Sequence, residues 1–162
     1  RRVLEQRSVE DAVEVVTHTQ RARSGNLLLA ERNRRILDIE TTAFRHRFLE
    51  PQNGLLAHSN NYVHSELIKY ERHVQDSPDS PRRLKRMIEL IRSEKKPITW
   101  ESARIWLRDH ADYPTSICVH PTGEGPRGEI KTISSIIAEP ERGILRACVG
   151  NPCTNDYHIY RL

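Results

Sequence analysis

Eight histidines and three cysteines carry the widest chemical repertoire in this 162-residue chain. Imidazole and thiolate are the preferred ligands of zinc, and zinc sites are usually visible as closely spaced pairs such as C-x-x-C or H-E-x-x-H. Neither pattern occurs. His58 and His64 stand six residues apart across a loop, and His110 and His120 straddle a proline, so spacing along the chain predicts no metal site. Nucleophilic catalysis is the second chemistry to consider, and a cysteine nucleophile needs a base within reach and a lowered pKa. Cys118 lies in the apolar run Ser116-Ile117-Cys118-Val119, which predicts a buried strand and a structural role, and Cys148 points into a hairpin by the same logic. Cys153 follows Gly150-Asn151-Pro152 in a turn, where exposure is expected, but no base stands near it in sequence. None of the three is expected to be a nucleophile. Their odd number and low density predict reduced thiols rather than a disulfide framework.

The phosphate-cradling glycine loop, the dinucleotide fingerprint and the G-x-S-x-G turn are absent, and no cofactor is expected. The remaining anomaly is a density of His and Asn between His58 and His64. Charge adds little: 26 Lys and Arg against 22 Asp and Glu give +4, and the densest cluster is Arg82, Arg83, Lys85 and Arg86. That cluster opens a predicted helix with no aromatic residue among the cations. It reads as a solvated helix face, and no nucleic-acid partner is expected. No apolar run approaches the roughly 20 residues that span a bilayer. Arg1-Arg2-Val3-Leu4-Glu5 does not lead into the apolar stretch of a signal peptide. No membrane partner is expected; localisation stays open, with the cytoplasm as its default.

These residues must be positioned by a lean framework, with 36% apolar and 30% charged residues and a mean hydropathy of -0.68, which fits one domain over residues 1–162. Ser8 and Asp11 resemble a capping box, and Val9, Ala12, Val13 and Val16 share one helical face, which predicts a helix from Ser8 to Arg23 ended by Gly25. The runs 26–32 and 35–41, joined by Asn33-Arg34, predict an antiparallel hairpin, and 54–58 a further strand. The polar stretch 70–81 reads as a loop ending in an N-cap Ser80 with Pro81 at the first helical position. Its helix turns Leu84, Met87, Ile88 and Ile91 inward. Thr99 caps another, continued by Trp106 and Leu107 and stopping near Asp109 or His110. Residues 132–139 and 144–149, joined by Pro140-Glu141-Arg142-Gly143, predict a second hairpin, with an edge strand at 157–161. Blocks of helices and antiparallel strands without βαβ alternation predict an α+β fold.

The segment Gly54-Leu55-Leu56-Ala57-His58-Ser59-Asn60-Asn61-Tyr62 resembles the H-T-N-H-F element of the isopenicillin N acyltransferase and carcinine hydrolase family. It is followed in the same order by Leu107-Arg108-Asp109-His110, by Ser116 to Pro121, by Thr132 to Ile137, and by Gly150-Asn151-Pro152-Cys153 with Tyr157 and Tyr160-Arg161-Leu162. Ser8 to Thr41 also looks like the helix and hairpin that precede the first element in such proteins. The departures are Ser59 for Thr, Asn61 for His and Tyr62 for Phe.

The resemblance implies the C-terminal part of a four-layered αββα sandwich of the N-terminal-nucleophile (Ntn) hydrolase type. In that family autocatalytic cleavage leaves a Cys at the head of the larger subunit, where it attacks an amide or thioester carbonyl. The matching position lies upstream of Arg1, so the nucleophile is absent from this chain and the chain alone is expected to be inactive. Asn60 matches the Asn that lends its side-chain amide to the oxyanion hole, the bland alternative being an Asn that satisfies backbone groups at a strand end. Arg127 matches, through a loosely aligned loop, an Arg placed for substrate binding. The expected partners are the N-terminal remainder carrying the nucleophile, a small acyl amide or acyl-coenzyme A, and further copies of the chain. The competing reading is a non-catalytic binding or assembly module that keeps part of the Ntn fold. A bulky residue in Tyr160-Arg161-Leu162 argues against a peroxisomal signal.

Overall fold

Ser8 opens the first helix by accepting the Asp11 N–H on its hydroxyl at 3.0 Å, as its sequence pattern predicts. A computed structural model describes residues 1–32, 35–72, 78–125 and 128–161. Contacts divide the chain into two compact units, Arg1–His73 and Val74–Leu162. Each carries a three-stranded antiparallel sheet, so the described residues form an α+β structure. No helix among them is long and apolar enough to cross a membrane.

In the first unit a short 3-10 helix at Arg2–Glu5 precedes α1 (Val9–His18), and the strands are β1 (Gly25–Ala30), β2 (Ile36–Thr41) and β3 (His46–Leu49), in spatial order β1-β2-β3. The hairpin of β1 and β2 forms in the expected place, with Leu27 opposite Ile39 and Leu29 opposite Leu37; its Asn33-Arg34 step lies outside the described residues. Helix α1 stops at His18, short of Arg23, because the Arg21 guanidinium turns back to the carbonyls of Val16 and Thr19 and caps the end. Gly25 therefore opens a strand rather than ending a helix. The strand expected at 54–58 does not form. Asn53 and Gly54 both have positive φ and close a tight turn between Gln52 and Leu55, and the third strand is instead His46–Leu49. Short helix α2 (Ser65–Ile68) follows.

Alternation along β2 separates two kinds of chemistry. Leu37 and Ile39 join Val9 and Val16 of α1 in the core, with Leu27, Leu29 and Val13 packed around them. Asp38 and Glu40, also fully buried, point to the opposite face.

The second unit begins with α3 (Asp79–Ser93) and α4 (Trp100–Leu107). Helix α3 starts ahead of the predicted Ser80 cap, with Asp79 in its first turn holding Arg83 at 2.9 Å. Arg86 grips Asp109 at 2.7 Å and Lys85 lies 3.9 Å from Glu89, so three of the four cations in the basic cluster are paired with carboxylates. Thr99 and Ser102 form a reciprocal capping box on α4. Strands β4 (Ser134–Glu139) and β5 (Ile144–Val149) form the expected hairpin, turned by Gly143 at φ 60°, and β6 (His158–Arg161) pairs with β5. Arg146, buried in the central strand, ion-pairs with Glu139 and lies 4.6 Å from the Trp100 ring centre. The other face of this sheet leaves Ile136, Val149 and Tyr160 exposed.

Ile39→Ala should lower stability by about 2–5 kcal/mol through the cavity it leaves. Phe44, 94% exposed, serves as the control, since Phe44→Ala should change stability by no more than about 0.5 kcal/mol. Urea unfolding midpoints of the two variants check the difference.

Candidate functional site

The first unit contains a cavity of about 370 Å³ whose wall includes Asn26, Glu40, His58, Asn60, Asn61 and Tyr62. Glu40, with no exposed surface, receives the His58 Nε2–H at 2.7 Å and the backbone N–H groups of Val63 and His64 at 2.5 and 2.9 Å. A carboxylate can only accept, so these three donors fix both of its oxygens and draw the 58–64 loop onto the polar face of β2. Tyr62 adds two ties, its hydroxyl to the Thr41 carbonyl at 2.9 Å and its N–H to Glu71 at 2.7 Å. The loop is irregular, yet its course is held by Glu40 of the strand beneath it.

Burial works against charge on Glu40, but the His58 hydrogen bond, the two backbone donors and the His58 charge outweigh it and hold the carboxyl below its ordinary 4.5. Burial likewise opposes the imidazolium. The Glu40 hydrogen bond and the charges of Asp38 and Glu40 overcome it and raise His58 above 6.5. Asp38 moves the other way: burial raises it above 3.8 against the lowering effects of the His58 charge and the 2.5 Å bond from Asn26. Two acids on one face of one strand are thus driven apart, Glu40 toward the ionised form and Asp38 toward the protonated one.

The structure places Asn60 exposed on the cavity wall and Asn61 half-buried beside it, with the Asn61 amide on the Tyr62 carbonyl at 3.2 Å. Arg127 lies outside the described residues. Sequence reading missed Glu40 and Asp38, which it absorbed into an apolar run. The available signal was the alternation Leu37-Asp38-Ile39-Glu40, since carboxylates on one face of a core strand demand donors from somewhere. In the second unit, Cys118 is buried as expected, but in an irregular segment rather than a strand. Cys153, without a base nearby in sequence, sits 3.4 Å from His120 Nε2 in space.

A model of the family described as acyl-coenzyme A:6-aminopenicillanic acid acyl-transferase matches residues 1–154. No curated protein shows significant similarity to the chain.

The buried pair sets a pH dependence whose sign follows from linkage. Glu40, lowered from 4.5, contributes stability above that value and loses it as pH falls through the lowered value. His58, raised from 6.5, contributes fully below that value and loses its contribution as pH rises through the raised value. Asp38, raised from 3.8, costs stability as it ionises above that value. Thermal melts should therefore show a decline on the alkaline side of pH 6.5 that His58→Gln abolishes; an unchanged alkaline limb in the variant would contradict the pairing.

Proposed function

The chain belongs to the acyl-coenzyme A:6-aminopenicillanic acid acyl-transferase family, and on that premise we propose that it is the C-terminal portion of a cysteine-dependent Ntn acyltransferase or amidohydrolase. The nucleophilic Cys is then supplied by an upstream segment, and the present residues contribute the oxyanion donor and part of the acyl pocket. The observation that carries the reading is the position of Asn60 on a cavity wall held by the buried Glu40–His58 pair. The exposed apolar face of the second sheet supports the αββα part of the proposal, because a layered sandwich buries both faces of its sheets. The N-terminal remainder is the partner this assigns to it.

The proposed chemistry follows from charge development. A thiolate attacks the carbonyl carbon of an amide or thioester, and the former carbonyl oxygen becomes negative in the tetrahedral intermediate. The Asn60 side-chain N–H groups donate to that oxygen, stabilising it more than the neutral carbonyl of the substrate. Collapse expels the amine or thiol, which takes the proton that the nucleophile's own α-amino group removed from the thiol, leaving an acyl-enzyme that water or a second amine resolves. The acyl group, seated in the cavity, displaces water from Asn60 and strengthens the bond. Arg127, by resemblance, contributes to substrate binding.

In the complete, matured protein Asn60→Ala should reduce turnover roughly a hundredfold to a thousandfold, about 2.7 to 4 kcal/mol of transition-state stabilisation, with KM and folding little changed. Asn61→Ala is the control for the neighbouring amide. Normal turnover in the Asn60 variant with reduced thermal stability would assign Asn60 a structural role instead. Residues 1–162 alone should hydrolyse no amide or thioester above buffer; hydrolysis by this chain that vanishes in Cys153→Ala would contradict the upstream nucleophile.

A further inference from the structure

Four soft donors outside the proposed acyl site converge in the second unit: Cys118, Cys153, His110 and His120, with their ligand atoms all within 4.8 Å of one another. The Cys118 and Cys153 sulfurs are 3.6 Å apart. His120 Nε2 lies 3.6 Å from the first and 3.4 Å from the second, and 3.1 Å from His110 Nε2. A tetrahedral ion with bonds of about 2.3 Å to sulfur and about 2.0–2.1 Å to nitrogen has S–S edges of about 3.8 Å, S–N edges of about 3.6 Å and N–N edges of about 3.3 Å. Four of the six separations follow that order and depart from it by a few tenths of an ångström, and the two from His110 to the sulfurs lie within 4.8 Å. From this we infer that the four residues form a tetrahedral site for a thiophilic divalent ion of the zinc class.

The scaffold holds the ligands chiefly through backbone hydrogen bonds. Asp109, gripped by Arg86, accepts the Ala111 N–H on its carboxylate and the Cys118 N–H on its carbonyl, fixing the segments that carry His110 and Cys118 together. The His120 N–H is tied to the Pro114 carbonyl at 2.9 Å. Asn151 docks the Cys153 loop by donating to the Val119 carbonyl at 2.7 Å, and its amide also reaches the Cys118 sulfur at 3.3 Å. An N–H donor on a ligand sulfur stabilises thiolate and orients it, as outer partners of metal ligands commonly do. A Cys153–His120 catalytic dyad accounts for only two of the four groups. It gives no role to the buried Cys118 sulfur, or to two imidazole nitrogens directed at each other. The ligands come from separate loops, which is why spacing along the sequence points to no site. This inference is independent of the acyl-transfer reading.

Binding exchanges each cysteine S–H proton for a metal–sulfur bond, so one divalent ion displaces two protons and leaves the cluster neutral. Untagged, reduced, metal-free chain should take up one Zn²⁺ with release of about two protons at a pH where both thiols start protonated. Co²⁺ in its place should give thiolate-to-metal charge transfer and the intense visible bands of tetrahedral coordination. Cys153→Ser and His120→Asn should each weaken binding at least about tenfold, and Asn151→Ala about 10- to 100-fold, with Cys148→Ala unaffected. Metal should also protect Cys153 from alkylation, a readout that needs no variant. Absence of stoichiometric uptake by the reduced, folded chain overturns the site. So does a Co²⁺ spectrum without sulfur ligation, or a fast stoichiometric acylation of Cys153 by an activated ester that excess Zn²⁺ leaves unchanged.

Discussion

A carboxylate with no exposed surface loses its hydration, and an unpaired charge in such a place costs several kcal/mol, so the fold around it has to supply donors. Glu40 meets that demand with one imidazole and two backbone N–H groups, all from residues 58–64. The same strand sends Leu37 and Ile39 into the core against α1. Slipping β2 by one residue would put both acids into that core and both apolar side chains against the loop, so the register of the sheet and the course of the loop are fixed together. An irregular loop can thus carry Asn60 in a defined place with little secondary structure of its own.

The second unit solves a related problem with a different node. Asp109, at the end of α4, is bound by the Arg86 guanidinium on one side and organises the following irregular segment through its carboxylate and its carbonyl. That segment would otherwise have few reasons to adopt one course, since no strand or helix includes residues 111–121. Its stability comes from paired polar groups, and it brings the cysteines and histidines together.

Regular elements were largely readable because their signals are local. Ser8, Thr99 and Gly143 each mark a boundary by a cap or a positive φ, and the Pro140 to Gly143 turn set the register of β4 and β5 in advance. Errors arose where a residue beyond the element, near or distant, decides. Helix α1 ends where Arg21 reaches back, 54–58 is turned by Asn53 and Gly54 instead of extending, and Cys118 is buried by long-range hydrogen bonds rather than by strand pairing. The site was half legible. His58 and Asn60 stood out through a family-like motif, whereas Glu40 was hidden inside an apolar run and Cys153 met its histidine only in three dimensions.

The account rests on Glu40 holding the Asn60-bearing loop, and native-state amide exchange tests this directly. In the wild type the N–H groups of Val63 and His64 should be protected despite lying in an irregular segment. In Glu40→Gln, which keeps the shape but removes the charge, their exchange should accelerate at least about tenfold, since a hydrogen bond to a charged acceptor contributes about 1.5–3 kcal/mol, while Leu37 and Ile39 stay protected. Equal protection of Val63 and His64 in the two proteins would contradict the claim that this carboxylate positions the loop.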